Sequence, residues 1–121
     1  MAAVSPIFQT YPNQVVVYTW SPLTTTNTTG VSISLPWLSD KAIHCKGTFG
    51  VSGTLALFGS NDNLTFQQLR DPLGNNLQFT AETLKQILEN PLYIQPQLVS
   101  GGDGTTSITF ILVARSATRF M

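Results

Sequence analysis

Apolar and polar residues alternate with period two along much of this chain, the pattern of strands that bury one face. Gln14 to Trp20 is β-branched and aromatic and is bounded by Pro12-Asn13 and Ser21-Pro22, which predicts a strand. Val31, Ile33 and Leu35 alternate with serines, so that segment presents all three on one face before Pro36 stops it. Further strands are predicted over Ala42 to Phe49 and Gly53 to Phe58. Gly59-Ser60-Asn61-Asp62-Asn63 is dense in turn formers and should reverse the chain into Leu64 to Leu69, with Leu64 and Phe66 pointing inward.

Asp71-Pro72-Leu73-Gly74 has the chemistry of a tight turn, with Pro preset at the second position and a glycine able to take positive φ. Gln78-Phe79 extends a short strand. One segment carries a helical pattern: Thr80 as N-cap, Glu82 in the first turn, and Leu84, Ile87 and Leu88 as one apolar stripe ended by Asn90-Pro91. Leu92 to Gln95 leads to Pro96, which suggests an edge or a strand end. Beyond the Ser100–Gly104 loop, Thr106 to Val113 begins alternating and finishes apolar on both faces, so its second half should be central and covered on two sides. The expected fold is all-β: an antiparallel β-sandwich, jelly-roll-like, with a short helix over about residues 81–89 capping one end. Residues 1–13 are expected as an extended N-terminal arm and 14–121 as a single sandwich domain. Leu55, Leu57, Phe66, Ile108, Phe110 and Leu112 are its expected core.

Composition narrows the function classes. The 121 residues are 42% hydrophobic and only 10% charged, where an average soluble domain carries about 25% charge. Six Lys plus Arg balance six Asp plus Glu, so no basic excess points to nucleic acid. No apolar run reaches the roughly eighteen residues of a membrane helix, and the first residues predict no secretory signal. A surface built from Ser, Thr, Asn and Gln carries little repulsion between copies, which suits a protein that works assembled.

Candidate chemistry is sparse. His44 is the single histidine and lies between Ile43 and Cys45 in a predicted strand, with no Gly-x-Ser-x-Gly elbow in the chain. Cys45 points to the opposite face from His44 and reads as a small buried hydrophobe. Asp62, Asp71 and Asp103 sit in turn motifs whose local hydrogen bonding accounts for them. The Ser60–Asn63 and Gly101–Gly104 loops offer oxygen ligands for calcium but lack the Asp-x-Asp-x-Asp-Gly run, so no metal and no cofactor is expected. Trp20, Trp37, Tyr11, Tyr18 and Tyr93 could form a sugar-stacking platform, although core or interface packing is the simpler role. The Asn27-Thr28-Thr29 and Asn63-Leu64-Thr65 sequons, without a secretory signal, are ordinary turn residues.

The termini point to contacts. Ile7, Phe8 and Tyr11 stand in an arm without helical period, and Arg119-Phe120-Met121 ends the chain with a cation and two apolar groups. With Trp20 and Trp37, which flank prolines, the residues Ile7, Phe8, Tyr11, Arg119 and Phe120 form the candidate oligomer or partner interface.

Gly47 to Arg115 resembles a family of tailed-bacteriophage virion proteins, the capsid decoration or cement proteins. The residues that carry the likeness are Gly47-Thr48-Phe49-Gly50, Leu57-Phe58-Gly59-Ser60-Asn61-Asp62, Asp71-Pro72-Leu73-Gly74-Asn75, Phe79-Thr80-Ala81, Asn90-Pro91-Leu92-Tyr93-Ile94 and Gly102-Asp103-Gly104-Thr105-Thr106-Ser107. The resemblance implies a non-enzymatic protein made in the host cytoplasm and carried on the capsid surface of the virion. There it would bridge capsomers as a homo-oligomer, trimer or dimer, bound to the major capsid protein. The alternatives are a tail, baseplate or head-fibre module contacting a host receptor, and a carbohydrate-binding module.

Overall fold

β-branched and aromatic side chains gain most on a pleated, half-buried surface, and the segments richest in them form the long strands. The structure, a computed structural model, describes residues 3–12, 15–34 and 38–115. Its strands are β1 (Ile7–Tyr11), β2 (Val15–Leu23), β3 (Ile33–Ser34), β4 (Asp40–Thr48), β5 (Thr54–Ser60), β6 (Gln67–Gln68), β7 (Gln78–Phe79), β8 (Thr83–Gln86), β9 (Tyr93–Ser100) and β10 (Ser107–Arg115). One antiparallel sheet runs β1-β2-β10-β4-β8; the other runs β3-β9-β5-β6, with β7 also paired to β5. From β2 to β5 every connection crosses between the sheets, and so does every connection from β7 to β10. All-β architecture with two antiparallel sheets around a shared core is therefore what this sequence builds.

β10 organises that core because β2 and β4 pair along its two sides. Ile108, Phe110, Leu112 and Ala114 turn inward and are buried, while Thr109, Ile111 and Val113 face the other way and stay partly exposed. Phe110 stands opposite Trp20 on β2 and Cys45 on β4, with its ring 5.8 Å from the indole. Leu55, Leu57, Ile94 and Leu98 close the same cluster from the other sheet. Trp20 is fully buried, and its Nε1 donates to the Val31 carbonyl at 2.9 Å, so the indole N–H has the partner burial demands. Lys41 is buried as well; its amine donates to the Leu38 carbonyl at 3.2 Å and to Asn90 Oδ1. Burial pushes its pKa down, with Asp40 pulling the other way.

Three expectations are corrected. The segment expected as a helix over 81–89 contains β8, an edge strand paired antiparallel with β4. A helix of about ten residues is marginal alone, whereas the side of β4 away from β10 needs partners for its backbone groups. The run continues outside the strand, where the Ile87 and Leu88 amides donate to the Lys41 and Arg70 carbonyls at 3.0 and 2.8 Å. The supposed stripe is split, with Ile87 buried and Leu84 71% exposed. Glu82, placed by sequence in a helical first turn, accepts from the Gly47 amide at 3.1 Å instead.

The strand expected over 64–69 shrinks to Gln67–Gln68, and Leu64 is 85% exposed rather than inward. The Asp62 carboxylate takes the Leu64 and Thr65 amides at 2.8 and 2.9 Å, which commits them to the turn and withholds them from a strand ladder. Pro96, in turn, neither ends its strand nor lies on an edge strand: β9 runs through it between β3 and β5. Its carbonyl accepts from Gly30 N at 2.9 Å. An antiparallel residue points its N and O to the same side, so the missing N–H faces the two-residue β3 flank and costs β5 nothing.

Because Phe110 fills the centre of this cluster, Phe110→Ala is expected to cost about 3–5 kcal/mol. A urea titration followed by tryptophan fluorescence measures it, and a loss under 1 kcal/mol would place the core elsewhere.

Candidate functional site

β1 is the outermost strand of its sheet, and its side chains are Ile-Phe-Gln-Thr-Tyr, without a charge or a proline. Within the segment expected as an extended arm, Ile7–Tyr11 docks on the chain's own sheet, with Ile7 opposite Thr19 and Tyr11 opposite Val15. Val4 ties the approach to β1 by backbone bonds to Thr29 and Val31, each 2.8 Å. Docking does not hide the side chains: Ile7 is 67%, Phe8 52% and Tyr11 51% exposed. The Phe8 ring lies 4.9 Å from Tyr18, which stacks on Trp20 in turn. Natural edge strands are commonly blunted by charge, proline or bulges, and β1 has none of these.

Among the other candidates, Trp20 belongs to the core and has no exposed surface to give a partner or a sugar. Trp37, Arg119 and Phe120 lie outside the described residues.

Register shows a second surface, on the side of the β1-β2-β10-β4-β8 sheet turned away from the core. Residues opposite one another in a sheet share a face. Val17, Val113 and Ala42 therefore stand abreast across β2, β10 and β4, with Gln9 and Gln86 at the two ends of the row. The next row holds Ile7, Thr19, Ile111, His44 and Leu84. Every described strand belongs to one of the two sheets, so none forms a layer over this face. The outer face of the other sheet is different in kind. There Gln97 and Gln78 flank Ala56, and Gln95 and Gln68 flank Phe58. The glutamines bond to each other, Gln97 to Gln95 at 2.7 Å and Gln68 to Gln78 at 3.2 Å. One outer face thus carries a cluster of amides, and the other carries an aliphatic group of Val17, Ala42, Ile111 and Val113 with Thr19 and His44 beside it. The sequence signal for the aliphatic face was the run of Ile111 to Val113, apolar on both sides; its neighbours Val17 and Ala42 were visible only through register.

The carboxylates are occupied in turns. Asp62 accepts from Ser60 Oγ, Leu64 N and Thr65 N, and those amides hold its pKa down at about 2. Asp71 Oδ1 accepts the Leu73 and Asn75 amides at 3.0 Å each, and Gly74 completes the turn at φ 88°. Asn75's amide is the main cause of the lowered Asp71 pKa. Asp103 accepts from both the hydroxyl and the amide of Thr105, at 2.5 and 2.8 Å, which lowers its pKa too. In the same loop Gly101 sits at φ 69° with Ser52 O only 1.9 Å from where a Cβ would stand, so only glycine fits. Among the described residues no group of three or more His, Cys, Asp and Glu gathers to hold a metal.

His44 is exposed on the aliphatic face between Ile111 and Leu84, and Cys45 is buried on the opposite face, so the two point apart. A shallow cleft beside Gly59 and Pro91 contains Glu89, which is bound to Arg70 at 3.0 Å. Neither place joins a nucleophile to a base. No helix among the described residues is long and apolar enough to cross a membrane. No protein-family model matches the chain, and no curated protein matches it.

The three turn aspartates have folded-state pKa values below those of the unfolded chain. Their contribution to stability is therefore present above about pH 4, and it is lost as pH falls toward 2, where Asp62 protonates. The urea midpoint is expected to drop across that window, and less steeply for Asp62→Asn. Equal slopes in the two proteins would dismiss the role of Asp62.

Proposed function

We propose that this protein is a non-enzymatic structural part of a virion, a capsid decoration protein that binds the outside of a shell and braces it by contacts to its neighbours. The observation that carries this reading is the uncharged, apolar, open edge of β1, a strand whose outer side is ready to pair with or pack against another chain. The strand order supports it. β2-β10-β4-β8 opposed to β3-β9-β5-β6 is the order of a jelly roll, an architecture found in viral capsid and lectin domains. The likeness of Gly47–Arg115 to decoration proteins supplies the kind of shell, and β1 supplies a means of attachment. Many weak identical contacts brace a shell through multivalency, and a neutral surface lets copies crowd together without repulsion. His44, stranded among aliphatic side chains, and aspartates already saturated by their own turns fit a part that performs no chemistry.

Cosedimentation with expanded phage capsids is the direct test. Binding should saturate at a fixed number of copies per shell. Phe8→Asp, which sets a charge on the open edge, should weaken it roughly tenfold while the circular dichroism spectrum stays unchanged. Failure of the native chain to sediment with any shell of its parent phage would overturn the proposal.

A further inference from the structure

The aliphatic outer face has the size and layout of a protein interface. Five strands about 4.8 Å apart and four outward rows about 6.8 Å apart give a projected area of roughly 600 Å². Two such faces together would bury about 1,200 Å², the lower bound for a stable, specific contact. Val17, Val113, Ile111 and Ala42 make an apolar centre that also holds Thr19 and His44; Gln9 and Gln86 end one of its rows and Ile7 and Leu84 the other, with Asp40, Lys46, Thr109 and Arg115 beyond them. A mainly apolar middle bordered by charged and polar groups is the anatomy of a protein–protein contact. Two aliphatic sheet faces stack about 10 Å apart, as the layers of a sandwich do.

Charge identifies the occupant. Asp40 and Lys46 share the outer face of β4 and lie three residues on either side of Ile43. A two-fold axis lying in the contact plane and crossing the strands near that midpoint reverses each strand over its own copy. Asp40 of one chain then meets Lys46 of the other, and the same pair forms a second time by symmetry. The same operation sets Val113 against Ile111, and Arg115 against the hydroxyl row of Thr109 and Ser21, whose oxygens are 2.9 Å apart. The face is therefore complementary to itself. We infer that the outer face of the β1-β2-β10-β4-β8 sheet binds a second copy of this chain, face to face and antiparallel, with paired Asp40–Lys46 contacts across the interface. The inference stands apart from the shell proposal, because the dimer leaves the β1 edge free.

The full-length chain in sedimentation equilibrium tests it. The native protein should weigh twice 13.2 kDa at micromolar concentration. Val113→Lys should shift it to monomer. Asp40→Lys and Lys46→Asp should each raise the dissociation constant about tenfold, and the double exchange Asp40→Lys with Lys46→Asp should return it to within about threefold of the native value. A circular dichroism spectrum unchanged from the native one checks that each single variant has folded. A native monomer at hundreds of micromolar overturns the inference, as does a dimer indifferent to both Val113→Lys and the charge exchange. A native monomer that uses Val113 to bind capsids overturns it too, since the occupant is then the shell. A charge-sensitive dimer that ignores capsids upholds it and defeats the shell proposal instead.

Discussion

Everything in this fold depends on β10 being paired along both sides while its side chains alternate strictly between two faces. Because β2 and β4 fix its register, Ile108, Phe110, Leu112 and Ala114 must all enter the core together. A slip by one residue would exchange them for Thr109, Ile111 and Val113. The inner set matches Trp20 and Cys45 in depth, and a slip would leave the indole without Phe110 beside it. The same constraint sends Ile111 and Val113 outward, so the aliphatic face and the core are two consequences of one alternation.

The strongest strands were legible because their information is local. β2, β4, β5 and β10 are dense in branched or alternating side chains, and each lies close to its predicted place. β8 was not legible, because what decides it is distant in sequence. Thr80 to Leu88 has caps and spacing suited to a helix, yet β4 pairs with it from about forty residues away. The loss of Leu64 from the expected inner row has a different origin. One carboxylate, Asp62, intercepts two amides before they can join a ladder, and side-chain capture of that kind does not show in a hydrophobic pattern.

The candidate surfaces divide along the same line. Ile7, Phe8 and Tyr11 were visible in sequence as apolar residues in an extended arm without helical period, and they remain exposed after docking as β1. Trp20 was misplaced because Ser21-Pro22 suggested a strand end. β2 instead runs on to Leu23 and holds the indole in its inner row. The outer face could be glimpsed only at Ile111 to Val113. Its full extent needs the cross-strand partners Val17 and Ala42, which no single segment contains.

The one cysteine of the chain closes off a further kind of reactivity. Cys45 is fully buried, its Sγ directed at the Ala81 carbonyl at 3.8 Å, and burial pushes the thiol pKa up. A thiol kept protonated and out of reach neither exchanges with disulfides nor meets peroxide at an appreciable rate. The folded chain can therefore pass from a reducing to an oxidising milieu with its sulfhydryl unaltered and without forming a covalent bond to another chain through it.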